Sequence, residues 1–307
     1  MAVAPRAQPT DFFSTDEWSA LSARSSWRGL WLVAHCWVVI GMAMWVGMVW
    51  PVTIPLMVIV VGTRQLGLFV LMHDGAHAVL HSNRKVNDWV AHWLCSNALA
   101  QYRPYHLQHH RYVQQTEDPD IVLSAPFPIT RGSFARKALR DLTGQTFVKQ
   151  RFGHYLDRFR ARQPGESALS LLIEELAKDR RFLLGNVLGL ALFAAAGGWW
   201  VWLALWLLPM ATWLPFVGRI RNIAEHALIR QNEADPLRQA RTTQANWLER
   251  AFIAPYWVNY HCEHHMFTQL ACWNLPKAHR MLAQRQATAR METERSYVAL
   301  LTRACAA

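Results

Sequence analysis

Eight of the fourteen histidines fall in three short groups whose spacing suits the binding of metal ions. In chain order these three histidine boxes are His73 and His77, then His106, His109 and His110, then His261, His264 and His265. Residues three and four positions apart share one face of a helix, so the histidines of each box can point to one place. Neutral imidazole is a ligand for iron, zinc, copper and nickel. Because one ion seldom takes more than about four protein nitrogens, eight histidines predict two ions.

Two long stretches, residues 29–63 and 182–218, contain no Lys, Arg, Asp or Glu. About 20 apolar residues suffice for a helix to cross the hydrocarbon core of a membrane. The first stretch, extended by the apolar residues 65–72, is long enough for two helices broken between Trp50 and Pro55. The second is long enough for two shorter helices broken at Gly197 and Gly198. The sequence therefore predicts four transmembrane helices in two hairpins.

Basic residues flank both predicted hairpins, and neither hairpin turn contains one. These residues are Arg24, Arg28, Arg84 and Lys85 around the first hairpin, and Arg180, Arg181, Arg219 and Arg221 around the second. By the positive-inside rule, both termini and the region between the hairpins are cytoplasmic. All three boxes then lie on the cytoplasmic side, close to the membrane surface, and an inner membrane of a bacterium is the expected location. The polar first 26 residues contain no apolar run typical of a cleavable signal peptide.

The predicted fold class is an all-α integral membrane protein whose cytoplasmic helical cap carries the histidine boxes. Its divisions are a cytoplasmic N-terminal segment 1–28, hairpin 29–72, a cytoplasmic segment 73–181 with the first two boxes, hairpin 182–218, and a cytoplasmic C-terminal segment 219–307 with the third box. The five cysteines form no Cys-x-x-Cys pair, and cytoplasmic placement predicts free thiols.

The formal net charge of +11 is explained mainly by the positive-inside bias. Within residues 134–162, Arg and Lys alternate with Phe and Tyr, which is typical of a segment that contacts membrane lipids with anionic head groups. We therefore exclude nucleic acid as a partner. A basic cytoplasmic face would also attract an acidic redox partner, although charge alone does not identify one.

The order and flanks of the boxes resemble those of the integral-membrane fatty acid desaturase superfamily. This superfamily also contains fatty acid hydroxylases, carotenoid ketolases and hydroxylases, and alkane monooxygenases. The matching segments are His73-Asp-Gly-Ala-His77, His106-Leu-Gln-His109-His110, Thr116-Glu-Asp-Pro-Asp120, Asn259-Tyr-His261-Cys-Glu-His264-His265 and Asn274-Leu-Pro-Lys-Ala-His279. The resemblance covers the chain from the first hairpin to about residue 282.

The resemblance implies a pair of iron ions that uses O2 to attack an unactivated C–H bond of a lipid or acyl substrate. In the acyl-CoA desaturase branch, an extra histidine after the fourth crossing binds metal, and an asparagine four residues earlier reaches a metal through water. Here His226 and Asn222 match that pair, which gives nine histidine ligands and one weaker partner. No catalytic residue beyond the metal centre is implied. Electrons would come from a separate ferredoxin or cytochrome with its reductase, since the chain contains no His-Pro-Gly-Gly haem motif.

Four acidic residues lie beside the boxes or beside His226: Asp74, Asp118, Glu225 and Glu263. Ligating imidazoles usually donate their second N–H to a carboxylate or carbonyl, which fixes the tautomer and the ring orientation. We expect these four carboxylates to support the ligands. The remaining histidines are assigned no metal; they are His35, His81, His92, His154 and His279.

Three functions remain open at this point. An acyl desaturase is favoured by the Asn222 and His226 pair and by the form of the third box. A carotenoid ketolase or hydroxylase, or an alkyl hydroxylase, would share the same boxes. A membrane protein that binds metal without oxidising a substrate is the third. One departure from many desaturases is Met266-Phe-Thr268, where a proline often follows the third box, so the loop there is expected to differ near the substrate entrance.

Overall fold

The structure is a computed structural model that describes residues 4–96, 98–163 and 165–306. Its α-helices are α1 Thr15–Ser22, α2 Arg28–Val49, α3 Ile54–Ala76, α4 Arg84–Val90, α5 Leu99–Tyr112, α6 Ile121–Ser124, α7 Arg131–Leu142, α8 Gln145–Arg160, α9 Ala168–Ala195, α10 Trp199–Trp202, α11 Leu208–Ala211, α12 Trp213–His226, α13 Trp247–Phe252, α14 His261–Met266, α15 Leu275–Gln284 and α16 Tyr297–Ala304. The described regular structure also contains two short parallel strands, β1 Arg241–Thr243 and β2 Glu292–Glu294, and several short 3₁₀ and π segments. The prediction of an all-α protein is confirmed.

Three helical segments are long and apolar enough to cross a membrane: Arg28–Val49, Pro51–Ala76 and Trp199–His226. Their 22, 26 and 28 residues exceed the about 20 that one crossing needs. Helix α2 ends and α3 begins around the expected break, because Pro51 opens a 3₁₀ turn and cannot continue the preceding helix. Helix α9 ends just before the second expected break, where Gly197 has a φ of 75° that other residues rarely adopt.

The third predicted crossing corresponds to the second half of α9. Its apolar part, residues 182–195, would extend only about 21 Å as a helix. The first half of the same helix carries a run of charged residues that includes Lys178, Asp179 and Arg180. Helix α9 is consequently not among the three candidate crossings. The all-helical class and three candidate crossings are therefore established, while the arrangement of four crossings in two hairpins under a cytoplasmic cap stays a prediction.

The chain divides into two compact units. Unit 1 consists of Met1–Val38, Leu66–Ala135 and Val217–Ala307 and contains all nine predicted ligand histidines. Its core includes the rings of Phe13, Trp18 and Phe267, whose centroids lie within 5.9 Å of one another. Cys262 and Met266 of α14 are buried in the same core. The N-terminal segment therefore helps to fix the helix that carries the third histidine box.

Unit 2 consists of Val39–Gln65 and Arg136–Phe216. Two long-range hydrogen bonds tie its first stretch to its second: Gln65 Nε2 donates to the Trp206 carbonyl at 2.9 Å, and Trp213 Nε1 donates to Thr63 Oγ1 at 2.9 Å. In an apolar environment such bonds are stronger than in water, and leaving either partner unpaired is costly. None of the predicted metal ligands lies in this unit.

A close helix contact in unit 1 supports the first histidine box. A Cβ atom placed on Gly75, between His73 and His77, would lie 2.3 Å from the Cβ of Ala91. We predict that Gly75→Ala lowers the stability of the purified chain by about 1–3 kcal/mol, because the two backbones must separate. Thermal unfolding in detergent measures this effect, and iron content reports any displacement of the box.

The matched control for this change is Gly41→Ala. Gly41 lies within α2, and a Cβ atom placed on it would meet no neighbouring atom within 4 Å. Alanine is the better helix former by up to about 1 kcal/mol, so this variant should unfold at the same temperature or higher. Equal melting temperatures for the Gly75→Ala variant and the parent chain would show that the contact imposes no constraint.

Candidate metal centre

Within unit 1, the nine histidines lie on four helices or directly beside them. His73 lies in the last turn of α3 and His77 directly follows that helix, while the second box occupies the C-terminal half of α5. His226 is the last residue of α12, and the third box forms most of the short helix α14. The imidazoles converge from helix ends, where backbone carbonyls or amides lack intrahelical partners.

The ligand atoms of the nine histidines form two groups, and within each group all of them lie within 4.8 Å of one another. The five-histidine group consists of His73, His77, His106, His110 and His264. The four-histidine group consists of His109, His226, His261 and His265. The second and third boxes are thus each divided between the groups, which corrects the expectation that each box points to one place. The residues separated by four positions stay together, and the remaining histidine of each box turns to the other group.

The spacing of the nitrogens in the five-histidine group suits ligands of one ion. The Nε2 atoms of His77 and His106 are 2.9 Å apart, those of His106 and His110 are 2.9 Å apart, and those of His110 and His264 are 3.0 Å apart. Two nitrogens that each bind a metal at about 2.1 Å, at a right angle, are about 3.0 Å apart. The observed separations therefore match adjacent corners of a metal coordination sphere.

The four-histidine group has similar spacing. The Nε2 atoms of His226 and His261 are 2.9 Å apart, and those of His261 and His265 are 3.1 Å apart. The Nε2 atoms of His109 and His265 are 3.4 Å apart, close to the about 3.4 Å expected for a tetrahedral angle at the same bond length. This group can therefore hold a second ion.

The protonation of these side chains also favours metal binding. Burial lowers the pKa of His77 to about 3 and holds the pKa values of His106, His110 and His264 well below the ordinary value. Neutral imidazole has one nitrogen lone pair free to bind a cation. In addition, Nε2 of His73 is buried without a hydrogen-bond partner. A metal ion would satisfy this atom, so the residues present fit the ions that the sequence pattern implies.

Asp118 makes the clearest contact between a carboxylate and a candidate ligand. Its Oδ1 atom lies 2.8 Å from Nδ1 of His109 and accepts the backbone N–H of Asp120 at 2.9 Å. Its Oδ2 atom accepts the backbone N–H of Gln114 at 3.0 Å. With the Nδ1 proton of His109 held by a carboxylate, Nε2 of that ring presents its lone pair toward the four-histidine group.

Two further predicted carboxylates lie near ligands at longer range. Oδ1 of Asp74 is 3.6 Å from Nδ1 of His73, and Oδ2 of Asp74 accepts the backbone N–H of Cys272 at 2.8 Å. Oε1 of Glu225 is 3.5 Å from Nδ1 of His261. Both distances exceed a typical N–H···O bond, so neither carboxylate holds its ring as directly as Asp118 holds His109.

Glu263 lies at the centre of a different arrangement. It is fully buried between ligand positions on α14, where it accepts hydrogen bonds from Oγ1 of Thr242 at 2.5 Å and from Nδ1 of His279 at 2.5 Å. The bond to Glu263 raises the pKa of His279 above its ordinary value. Glu263 thereby ties the third box to β1 and α15. The position of Glu263 in the third box predicts that it supports a ligand, but no sequence pattern predicts its bonds to Thr242 and His279.

Two other side chains near the ligands, Arg221 and Tyr102, belong to no histidine box and were not assigned to the site from the sequence. Arg221, which we interpreted as a flanking charge of the second hairpin, is mostly buried and donates through Nε to Oε1 of Glu225 at 2.6 Å. The ring of Tyr102 stacks on His106 with centroids 5.0 Å apart. Helical spacing could have indicated both contacts. Arg221 lies four residues before Glu225, and Tyr102 lies four residues before His106.

Asn222, the predicted weaker partner of the metal, is half-buried on α12, one turn before His226. The five histidines assigned no metal, His35, His81, His92, His154 and His279, belong to neither group in the described part of the chain. Instead, Nδ1 of His81 accepts the backbone N–H of Asn83, for example, and Nε2 of His154 lies 3.4 Å from a carboxylate oxygen of Glu175.

Comparison with known proteins gives a consistent result. The profile of the fatty acid desaturase family matches residues 48–295. A dihydrorhizobitoxine desaturase of Bradyrhizobium elkanii is 26% identical over 245 residues, which cover 75% of this chain and 68% of that protein. The chloroplastic omega-6 fatty acid desaturase of Glycine max is 24% identical over 247 residues, 75% of this chain and 56% of that protein. The sn-1 oleoyl-lipid 12-desaturase of Arthrospira platensis is 32% identical over 89 residues, 28% of this chain and 24% of that protein.

Proposed function

Because the chain belongs to the fatty acid desaturase family, we propose that it is a membrane enzyme with two iron ions that uses O2 to introduce a C=C bond into a lipid acyl chain. The observation that carries this proposal is the division of nine buried or half-buried histidines into groups of five and four with the spacing of metal ligands. Asn222 is proposed to reach one ion through a water molecule.

Bound iron would supply the activation of O2 and the removal of hydrogen from an unactivated C–H bond, which no side chain can perform. The overall change takes two hydrogens from adjacent carbons. With two electrons and two protons from outside, these hydrogens reduce O2 to two molecules of water. The electrons are proposed to come from a ferredoxin or cytochrome with its reductase. Desaturases among the relatives support this reaction over carotenoid ketolation or alkyl hydroxylation.

The protein's own side chains have three tasks in this scheme. Burial holds the pKa values of His106 and His261 well below the ordinary value, so that their lone pairs are available at neutral pH. Asp118 fixes the tautomer and orientation of His109. Burial of the ligands, such as His264 with 2% of its surface exposed, keeps bulk water from the reacting groups.

We further propose the membrane arrangement expected from the sequence. Both termini and both metal-binding groups would lie on the cytoplasmic side of a bacterial inner membrane, with the second half of α9 as the third crossing and Trp199–His226 as the fourth. Three apolar helical segments support a membrane protein, and the flanking basic residues support the orientation. Segments 1–28, 73–181 and 219–307 would then form the cytoplasmic cap.

Lipid analysis of cells that express the chain tests the proposed reaction. The cells receive a perdeuterated saturated fatty acid, a compatible reductase system and sufficient iron. A parallel culture expresses the variant with both His109→Ala and His264→Ala. The proposal expects acyl chains that have lost two deuterium atoms from adjacent carbons, and only with the intact histidines. Acyl products that gain one oxygen atom would show hydroxylation and contradict the proposal. Oxidised carotenoids would contradict it in favour of a carotenoid ketolase or hydroxylase.

A further inference from the structure

A cavity of about 330 Å³ opens within unit 1, and none of the nine candidate ligand histidines is among the described residues that line it. Its walls include Trp31, Leu32 and His35 of α2, Arg250 of α13, and Tyr256 and Trp257 of the following turn. The volume falls at the lower end of the range of about 300–1,000 Å³ typical of small-molecule sites. The lining is mainly apolar with a few polar groups, which is also typical of a site that binds an amphipathic ligand.

The cavity lies where a membrane surface is expected. Trp31, Leu32 and His35 belong to the first two turns of α2, which is one of the three candidate crossings. Trp31 of the cavity wall is 62% exposed, and Trp247, three residues before Arg250 on α13, is 70% exposed. Tryptophan favours the boundary between head groups and hydrocarbon. A lipid could therefore enter this cavity directly from the bilayer.

Arg250 gives the opening a positive charge. Its side chain is exposed and forms no ion pair with any carboxylate in the described ranges. The neighbouring Glu249 is buried and faces away, because its carboxylate accepts the backbone N–H groups of Asn246 and Tyr297. An arginine at the rim of an apolar cavity suits a carboxylate or phosphate whose chain continues into the cavity.

The inner wall of the cavity is held in an unusual backbone conformation. Tyr256 and Trp257 are consecutive non-glycine residues with φ values of 53° and 59°. Such residues persist only where the surrounding structure fixes them, and they concentrate at ligand sites. The hydroxyl of Tyr256 lies 3.1 Å from Nδ1 of His35. This strained turn therefore places both aromatic side chains in the cavity lining.

Tyr256 also connects the cavity to the metal-binding groups. Its ring packs so closely on α3 that a Cβ atom on Gly67 would lie 2.7 Å from Cε2 of Tyr256. Gly67 precedes His73 by six residues, or about 9 Å along the helix. Along its own segment, Tyr256 precedes His261 by five residues. The inner wall of the cavity is thus next to chain segments that carry ligands of both groups.

We propose that this cavity receives the anionic head of the acyl substrate, with the carboxylate or phosphate on Arg250. The first methylenes contact Trp31, Leu32 and Trp257, and Tyr256 forms the wall along which the chain continues toward the histidines. This inference rests on the proposed function, because it takes the bound lipid to be the substrate. It predicts that substrates carry a negative charge close to the start of the acyl chain.

Photolabelling of the full-length protein in phosphatidylcholine nanodiscs tests the inference independently of activity. The probes are a C16 fatty acid with a diazirine near its carboxylate, a phosphatidylglycerol with a diazirine at the same acyl position, and the neutral alcohol analogue of the fatty acid. Labelled peptides are identified by mass spectrometry. We expect labelling in 31–35 and 254–257 by at least one anionic probe, which identifies the head group, and at least fivefold less by the alcohol.

Variants decide whether Arg250 and the cavity cause this labelling. Arg250→Glu should reduce labelling by the anionic probes at least fivefold, and Leu32→Trp, which fills the cavity, should reduce it similarly. Arg230→Glu is the matched control, because Arg230 is also exposed but does not line the cavity. The melting temperature and iron content of each variant must match those of the parent chain. If Arg250→Glu fails to fold, Leu32→Trp alone tests whether the cavity causes the labelling.

Failure of the inference and failure of the proposed function give different results. Equal labelling by charged and neutral probes, or labelling unchanged in both Arg250→Glu and Leu32→Trp, would overturn the inference even if cells produce unsaturated lipids. Labelling that depends on Arg250, in an iron-loaded and reductase-supplied protein that oxidises no acyl chain, would overturn the proposed function and the assignment of the bound lipid as substrate. Desaturation whose KM rises at least fivefold in Arg250→Glu, with kcat unchanged, supports both.

Discussion

Replacement of His264 by alanine should reduce formation of oxidised lipid at least about 100-fold. Loss of a group that only supports a metal ligand already costs about 10–100-fold in metal affinity or activity, and loss of a ligand itself should cost more. His264 lies 3.0 Å from His110 within the five-histidine group and is 98% buried, so no water-exposed side chain can replace it. Product analysis by mass spectrometry, normalised to the amount of folded protein, measures the effect.

His154→Ala is the matched control for this prediction. His154 belongs to neither metal-binding group and lies in unit 2. The substitution removes the same side chain, so any general effect of losing an imidazole appears in both variants. We expect product formation within about twofold of the parent chain, since most substitutions away from a site change stability little. Comparable loss of product in both variants would argue against a specific role for His264.

Asp118→Ala should lower iron affinity and product formation about 10–100-fold, the second largest effect we expect. Asp118 holds Nδ1 of His109 and two backbone N–H groups in the segment after the second box. Without the carboxylate, His109 can rotate or change tautomer, and those two amides lose their acceptor. Iron binding to the purified chain, followed under anaerobic conditions by competition with a chelator, measures the affinity.

Asp157→Ala provides the comparison for Asp118→Ala. The Asp157 side chain is 79% exposed and lies 3.8 Å from the guanidinium of Arg160, an exposed pair that contributes little. Its removal should leave the iron affinity unchanged. The role assigned to Asp118 would be wrong if Asp118→Ala bound iron as tightly as Asp157→Ala while both variants remained folded.

Much of the candidate site could be predicted from local spacing. Positions three and four apart place histidines on one side of a helix, and that geometry needs no information from elsewhere in the chain. The division of the boxes could not be predicted in this way. His109 joins His261 and His265, whereas His264 joins His106 and His110. Which imidazoles meet depends on how α5, α12 and α14 pack, and that packing is a tertiary property.

The same limit applies to the supporting residues. The contact of Asp118 with His109 spans nine positions and follows from the turn after α5, so local sequence proximity was enough to predict it. Glu263, in contrast, bonds to Thr242 and His279, which are 21 and 16 residues away. Thr242 lies in no motif, and the motif segment that ends at His279 does not indicate a contact with Glu263. Only the approach of β1 and α15 to α14 brings these two hydrogen-bond partners to Glu263.

The membrane segments show where composition suffices and where it does not. Uninterrupted apolar stretches and proline or glycine breaks located the ends of α2, α3 and α9. The same stretches could not fix the number of crossings. Helix α9 begins at Ala168, well before its apolar part, because its charged first half is also a good helix former. Helix formation and membrane insertion have different requirements, and only the second excludes charge.

The number of iron ions per chain is the most direct test of whether the nine histidines bind two iron ions in groups of five and four. Metal-free full-length protein is loaded with ferrous iron without oxygen, freed of excess metal, and analysed for iron and protein by mass spectrometry and amino-acid analysis. We predict two iron ions per chain, and one in a variant with His106→Ala, His110→Ala and His264→Ala, because that variant keeps only two histidines of the five-histidine group. A parent chain that saturates at one iron ion or fewer, or a variant that still binds two, would contradict this prediction.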